Sequence, residues 1–318
     1  MIQIPVRVAG DEWFNRASVC QQLLQAQNQP IMLDLGAEGP SLYRLGIVDA
    51  VLESGVDPSQ VTVANWHNSV EIVPFERQIR HLASHFFWHH QLHTIADNFA
   101  NKTADIFGIF IGRRTVARCK IFYDVWQQYR DKSCMSLMQA TTPLPWQHFN
   151  GIAVEQFENW INNTESTDFQ QWWKHPPVSS IDGVSIGDQY SADQNTNFSL
   201  LKFYNRFNIE IVCETYCYGD AFFPTEKTVR PIAAEKPFVL FGPAQFLQRL
   251  RQLGFKTYAD FWDESYDKLE GLERWQAMQQ VLQYIHRQHT AAWVDSVNAV
   301  AAYNRQVLQQ VVKKHQPS

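Results

Sequence analysis

FNIEIVCETYCYGDAFFPTEKTVRPIAAEKPFVLFGPAQFLQRLRQLGFKTYADFWDESYD, residues 207–267, combines two buried-strand patterns, a helix and a polar cluster in one unit. The first strand is expected at 209–213, a short apolar run with β-branched residues. The second is expected at 237–241, stopped by Gly242 and Pro243. Between them come Glu214, a turn-like Tyr-Gly-Asp segment, and Thr225-Glu226-Lys227 opening a helix that ends near Glu235 and Lys236. Strand, loop, helix, strand is the order of a parallel βαβ unit, and the loops after its strands form the usual ligand crevice. Glu214, Thr225, Glu226 and Lys227 fall at that crevice. A threonine before a helix caps its free N–H groups, and the positive helix end attracts a phosphate or carboxylate.

Working outward, the chain has 318 residues, enough for two medium domains with real cores. It is 45% apolar, 14% aromatic and 19% charged, the composition of a folded domain rather than a disordered or fibrous one. A formal charge of −5 gives no general affinity for nucleic acid, so no nucleic-acid partner is expected. The cysteines at 20, 119, 134, 213 and 217 are odd in number and irregular in spacing, which predicts reduced thiols. No leader pattern or membrane-length apolar run is read, so a cytoplasmic protein is expected; peripheral contact with the inner membrane is compatible with the same features.

In the first third, strands are expected at 2–8, 31–35 and 61–66. They alternate with helical spacing at 11–27 and 42–52, the pattern of a Rossmann-like half. No Gly-x-Gly-x-x-Gly follows any of them, so a dinucleotide fingerprint is absent. Apolar positions 72, 75, 79, 82 and 86 step by three and four and predict a helix. His81, His85, His89, His90 and His93 lie on or near it. They have no carboxylate or cysteine partner at a recognisable interval, so core or interface histidines are expected rather than a metal site.

A further buried strand is expected at 106–111, ending at Gly112-Arg113-Arg114, with a helix following through Phe122, Val125 and Tyr129. Arg113, Arg114 and Arg118 at this strand-to-helix junction suit a phosphate, whose geometry a guanidinium matches with paired hydrogen bonds, though a solvated basic turn has the same composition. Residues 141–200, rich in Trp, Asn, Gln, Ser and Pro, are hard to parse, with short helices expected at 157–160 and 169–173. Later helices are expected at 246–253, 269–286 and 290–314.

The chain contains no Gly-Lys-Ser/Thr loop, no His-Glu-x-x-His and no Asp-x-Asp. A diphosphate bound here would be held by Arg, Lys and helix N-termini instead of a metal-bridging acidic pair.

Glu214, then Thr225-Glu226-Lys227, then a helix and the Phe238-Val239-Leu240-Phe241-Gly242 step resembles the donor-binding region of the α-1,3-fucosyltransferases and related glycosyltransferases. Gly254-Phe255-Lys256-Thr257-Tyr258 and the segment 261–267 look like the tail of bacterial and viral members of that group. The match is clear over 207–267, weaker at Arg113, Arg114 and Arg118, and does not extend over 1–105. It implies an α/β, GT-B-like architecture of two Rossmann-like domains facing a cleft. Residues 1–105 would form the acceptor domain and 106–286 the nucleotide-sugar domain, with 287–318 a terminal helix that would cross back to the first domain or form a dimer seam. It further implies a nucleotide-sugar donor, a GDP-sugar being favoured, with no metal or other cofactor. Glu226 and Lys227 would contact the nucleotide, Arg118 the diphosphate, and Glu214 and Thr225 the same pocket. This chain has Glu214-Thr215-Tyr216 where the fucosyltransferases have Glu-Asn-Ser, which leaves the sugar open.

The expected reaction is inverting transfer of a sugar to a glycan or other hydroxyl acceptor, including a lipid-linked one. Such a transfer needs a base on the acceptor side. Asp34, Glu38, His67 and Glu71 lie after strands of the first half, and Glu71 with His67 is the chosen pair. The alternative is a non-catalytic carbohydrate-binding or scaffolding protein on the same fold.

Overall fold

The computed structural model describes residues 1–9, 13–26, 28–36, 39–43, 45–65, 77–80, 99, 105–112, 115–137, 180–181, 184–185, 200–219 and 221–315. Over these it is an α/β protein with two parallel sheets.

The first sheet grows from the amino terminus. Strand β1 (Ile2–Pro5) is followed by a short antiparallel ribbon of β2 (Val8–Ala9) and β3 (Trp13–Phe14) and by the helix Arg16–Gln25. Then come β4 (Ile31–Asp34), the helix Ile47–Glu53, β5 (Val61–Asn65) and β6 (Arg77–Arg80). The sheet order is β1-β4-β5-β6 and every pairing in it is parallel. Ile4, Ile31, Leu33, Val61 and Val63 are buried with Val19 and Leu23 of the first helix and Ile47 and Val51 of the second. The second helix starts later than the apolar spacing from 42 suggests, because Gly46 adopts φ 81°, a left-handed turn that glycine takes at little cost.

Strand β6 corrects the expectation of a helix at 77–80; the rest of that stretch lies outside the described residues. The spacing of 72, 75, 79, 82 and 86 suits a helix, yet 77–80 pairs with β5 from Thr62↔Arg77 to Asn65↔Arg80. Hydrogen bonding to an open sheet edge here outweighs a local periodicity.

The second sheet is built from β7 (Asp105–Ile111), the helix Val116–Tyr129, β8 (Ser133–Leu137), and, after a small antiparallel ribbon of β9 (Ser180–Ile181) and β10 (Val184–Ser185), β11 (Phe207–Cys213) and β12 (Phe238–Phe241). Its order is β12-β11-β7-β8, again all parallel. Every residue of β11 and β12 is buried, as in strands covered on both faces; apart from Asn208 and Glu210 of β11 they are apolar. Strands β7 and β11 approach closely at Gly108, where a Cβ would lie 2.7 Å from the Phe207 ring. The helices Glu226–Ala233, Phe246–Gln252, Gly271–Gln288 and Ala291–His315 complete this part. Asp124 on the helix after β7 accepts a hydrogen bond from Trp275 Nε1 at 2.8 Å, fixing it to the helix Gly271–Gln288.

The last helix buries Val297, Leu308 and Val312 in the cluster around the second sheet, and Asn304 bonds the backbone N–H and C=O of Lys256, each at 2.8 Å. The five cysteines are free, and no helix among the described residues is long and apolar enough to cross a membrane.

Candidate functional site

The order β12-β11-β7-β8 places a topological switch between β7 and β11. From β7 the chain first adds β8 on one side, then returns to add β11 and β12 on the other. In open parallel sheets the loops leaving the carboxyl ends of two such strands diverge and leave a crevice where ligands bind. Here those ends are Ile111-Gly112 and Cys213-Glu214. The helix start at Thr225 is brought to the same place by the Glu214 carboxylate.

Two threonines cap the helices at this end. Thr115 Oγ1 accepts from Arg118 N at 3.4 Å, and Thr225 Oγ1 accepts from Lys227 N at 3.3 Å. Each closes a donor that the first turn of a helix leaves open.

Arg118 is buried, and its guanidinium donates to the Glu214 carbonyl oxygen from Nε at 3.0 Å and Nη2 at 2.6 Å. These bonds tie the loop after β11 to the helix after β7, so part of the fork expected to face a diphosphate holds the backbone that frames the crevice. A sequence signal for this exists: 118, 122, 125 and 129 share one helical face, and Phe122, Val125 and Tyr129 on it are buried.

Glu214 is committed further still. Its Oε1 accepts from Thr225 N at 3.0 Å and Thr228 Oγ1 at 2.5 Å, and its Oε2 from Thr215 N at 3.0 Å and Thr225 Oγ1 at 2.7 Å. A buried carboxylate with four donors is a structural staple. It also supplies the negative charge that the start of the helix Glu226–Ala233 favours, so the protein's own side chain occupies the position expected for an anion.

Glu226 and Lys227 remain at the surface of this frame. Lys227 Nζ lies 2.5 Å from Glu226 Oε1, and donates to Thr215 Oγ1 at 3.0 Å and Thr225 Oγ1 at 3.2 Å. Their side chains keep 16% and 23% of their surface, so both reach solvent while their stems are fixed. Phe223, two residues before the cap, is half-buried against Tyr216 with ring centroids 5.8 Å apart; neither spacing nor charge singled it out in the sequence. Of the other expected residues, Arg113, Arg114, His67 and Glu71 lie outside the described residues, as do Glu38 and the histidines at 81–93. Asp34 accepts from Gly36 N at 2.8 Å and Gln3 Nε2 at 2.6 Å, the work of a turn residue.

Beneath the site lies a buried network that the sequence did not reveal. Arg230 Nη2 bonds Glu210 Oε1 at 2.8 Å, Arg230 Nε donates to the Tyr204 hydroxyl, and that hydroxyl bonds Glu210 Oε2. Burial, reinforced by Glu210, lifts the Tyr204 phenol well above its ordinary range. Burial works against the Arg230 cation, but the hydrogen-bonded Tyr204 hydroxyl and the Glu210 carboxylate more than reverse it, so Arg230 stays charged. Glu210 sits mid-strand in β11 and Arg230 on the helix Glu226–Ala233, so the pair locks that helix over the sheet. A second carboxylate staple stands at the next helix: Asp267 accepts from Leu247 N at 2.9 Å and Gln248 N at 3.0 Å, and is paired with the buried Arg274.

Among the described residues no group of three or more His, Cys, Asp and Glu gathers in a metal-ligating arrangement. Chemically, the crevice offers an ammonium paired with a neighbouring carboxylate, and threonine hydroxyls beside it, a set that can bind an anionic, hydroxyl-bearing ligand. No family model, no curated protein and no solved structure matches the chain.

Proposed function

We propose that the protein is a glycosyltransferase of GT-B type that takes a sugar from a nucleoside-diphosphate donor at the switch point of the second sheet. The observation that carries this reading is the meeting of Glu226 and Lys227 with the carboxyl ends of β7 and β11, on a frame held by Arg118 and Glu214. The resemblance of the same stretch to the fucosyltransferase donor region supports it and favours a GDP-sugar.

In this reading Lys227 neutralises the diphosphate, and the Glu226 carboxylate accepts hydrogen bonds from ribose hydroxyls. Lys227 turns from Glu226 to phosphate without moving its backbone, because Thr225 and Glu214 hold the helix start. Glu214 and Arg118 position the site and do not touch the donor. The acceptor hydroxyl attacks the anomeric carbon from the face opposite the diphosphate. A carbon–oxygen bond forms as the bond to the leaving phosphate oxygen breaks, the hydroxyl proton passes to a base, and the nucleoside diphosphate departs. Glu71 with His67 is the proposed base pair, and transfer by this route inverts the anomeric centre. Domains 1–105 and 106–286 then supply acceptor and donor sites, and no metal is required.

Water can replace the acceptor slowly, which gives a test that needs no acceptor. Phosphorus NMR of the full chain with GDP-fucose, GDP-mannose, UDP-glucose and UDP-N-acetylglucosamine should show release of the nucleoside diphosphate from one donor, with the GDP-sugars favoured. Absence of release from all, together with no binding of the nucleotides, contradicts the reading.

A further inference from the structure

A separate cavity of about 420 Å³ opens between residues 259–266 and the helix Gly271–Gln288, and shares no residue with the switch-point site. Asp260, Phe261, Asp263, Ser265, Gln280 and Tyr284 give it its chemistry. We propose that it is a carbohydrate-binding pocket that takes one or two neutral pyranose rings.

The lining excludes several other ligands. It contains two carboxylates and no Lys, Arg or His, so an anion would meet only repulsion. Its rim of carboxylates, a hydroxyl and an amide would leave polar groups unpaired against a wholly apolar molecule. A pyranose answers both parts. Its C–H face stacks on aromatic rings, here the half-buried Phe261 and Tyr284, which is 39% exposed. Its hydroxyls donate to carboxylates and accept from an amide, here Asp260 and Gln280. Asp263 already accepts from Ser265 N and Ser265 Oγ, both at 2.8 Å, so it shapes the rim, and Asp260 is the main acceptor for a ligand. The volume lies in the range of small-molecule sites.

The pocket is also held in advance. Trp262 and Tyr266 are buried beneath it, and Trp262 stacks on Tyr258 with centroids 4.9 Å apart. The end of the segment is anchored by Asp267 to the helix Phe246–Gln252 and to Arg274. A site whose walls are fixed before binding loses little entropy on taking up a weak ligand.

The proposal does not rest on donor binding at the switch point. Saturation-transfer NMR on the full chain with maltose, cellobiose, lactose and diacetylchitobiose tests it. At least one should bind with a dissociation constant of about 1 mM or tighter. Tyr284→Ala and Asp260→Asn should each weaken it about tenfold with the melting temperature unchanged. Binding of none of the sugars overturns the proposal. So does binding that both variants leave intact, or binding of tetramethylammonium in the same pocket without any sugar.

Discussion

Arg118 and Glu214, 96 residues apart, meet through two hydrogen bonds from one guanidinium to one carbonyl oxygen, at 3.0 and 2.6 Å. This pair frames the crevice at the switch point, because it fixes the loop after β11 against the first turn of the helix after β7. Removing the guanidinium leaves a buried carbonyl with lost donors. Arg118→Met should therefore lower stability by about 2–4 kcal/mol in urea unfolding, with weaker nucleotide binding as a consequence. Unchanged stability with lost nucleotide binding would instead make Arg118 a direct phosphate ligand.

Glu214 and Glu226, both carboxylates of the same site, should respond in opposite ways. Glu214→Gln turns an amide N–H₂ toward groups that are already donors and should cost about 1–3 kcal/mol. Glu226→Gln, at a solvent-reaching position, should change stability by no more than about 0.5 kcal/mol while weakening nucleotide binding. Chemical denaturation and calorimetry of both variants separate the two roles.

Gly108 is required by close approach. A Cβ there would sit 2.7 Å from the Phe207 ring, inside the strand pair that forms the switch point. Gly108→Ala should destabilise by about 1–3 kcal/mol. Phe207→Leu introduced with it should recover part of the loss, so the double-mutant cycle should show coupling of about 0.5 kcal/mol or more.

Lys236 gives a pH prediction. Burial lowers its pKa from 10.5 to about 8, although Nζ donates to the Phe207 carbonyl at 3.1 Å. Between those values the unfolded chain binds more protons than the folded one, so this group makes stability rise with pH across that window. Below about pH 8 both states are charged and its cost is fully present. The stability difference between wild type and Lys236→Met should therefore shift in favour of wild type from pH 8 to 10.5, by up to about 3 kcal/mol. A pH-independent difference contradicts the burial of this amine.

The strands at 209–213 and 237–241 were legible because burial on both faces makes them predominantly apolar, with Glu210 the one charged residue among them, and Thr225 marked its helix by capping chemistry. Strand β8 was not: Ser133-Cys134-Met135-Ser136-Leu137 lies at the sheet edge and mixes polar and apolar residues. Strand β6 was hidden by a helical spacing that pairing with β5 overrides. At the site, the sequence indicated which charged residues gather but not which are already used. Glu214 and Glu226 are the same residue type eleven and one positions from Thr225, and only the fold shows that one is saturated by four donors while the other reaches solvent. The helical phase of Arg118 with Phe122, Val125 and Tyr129 was the one local clue that it faces inward.

The central claim is that Glu226 and Lys227 bind a nucleoside diphosphate, and calorimetric titration with GDP tests it most directly. Wild type should bind one GDP with a dissociation constant in the range of about 1–100 μM, without added metal. Lys227→Ala and Glu226→Ala should each weaken binding at least about tenfold with the melting temperature nearly unchanged. Wild type that binds none of GDP, UDP and CDP, or variants that bind as wild type does, would contradict it.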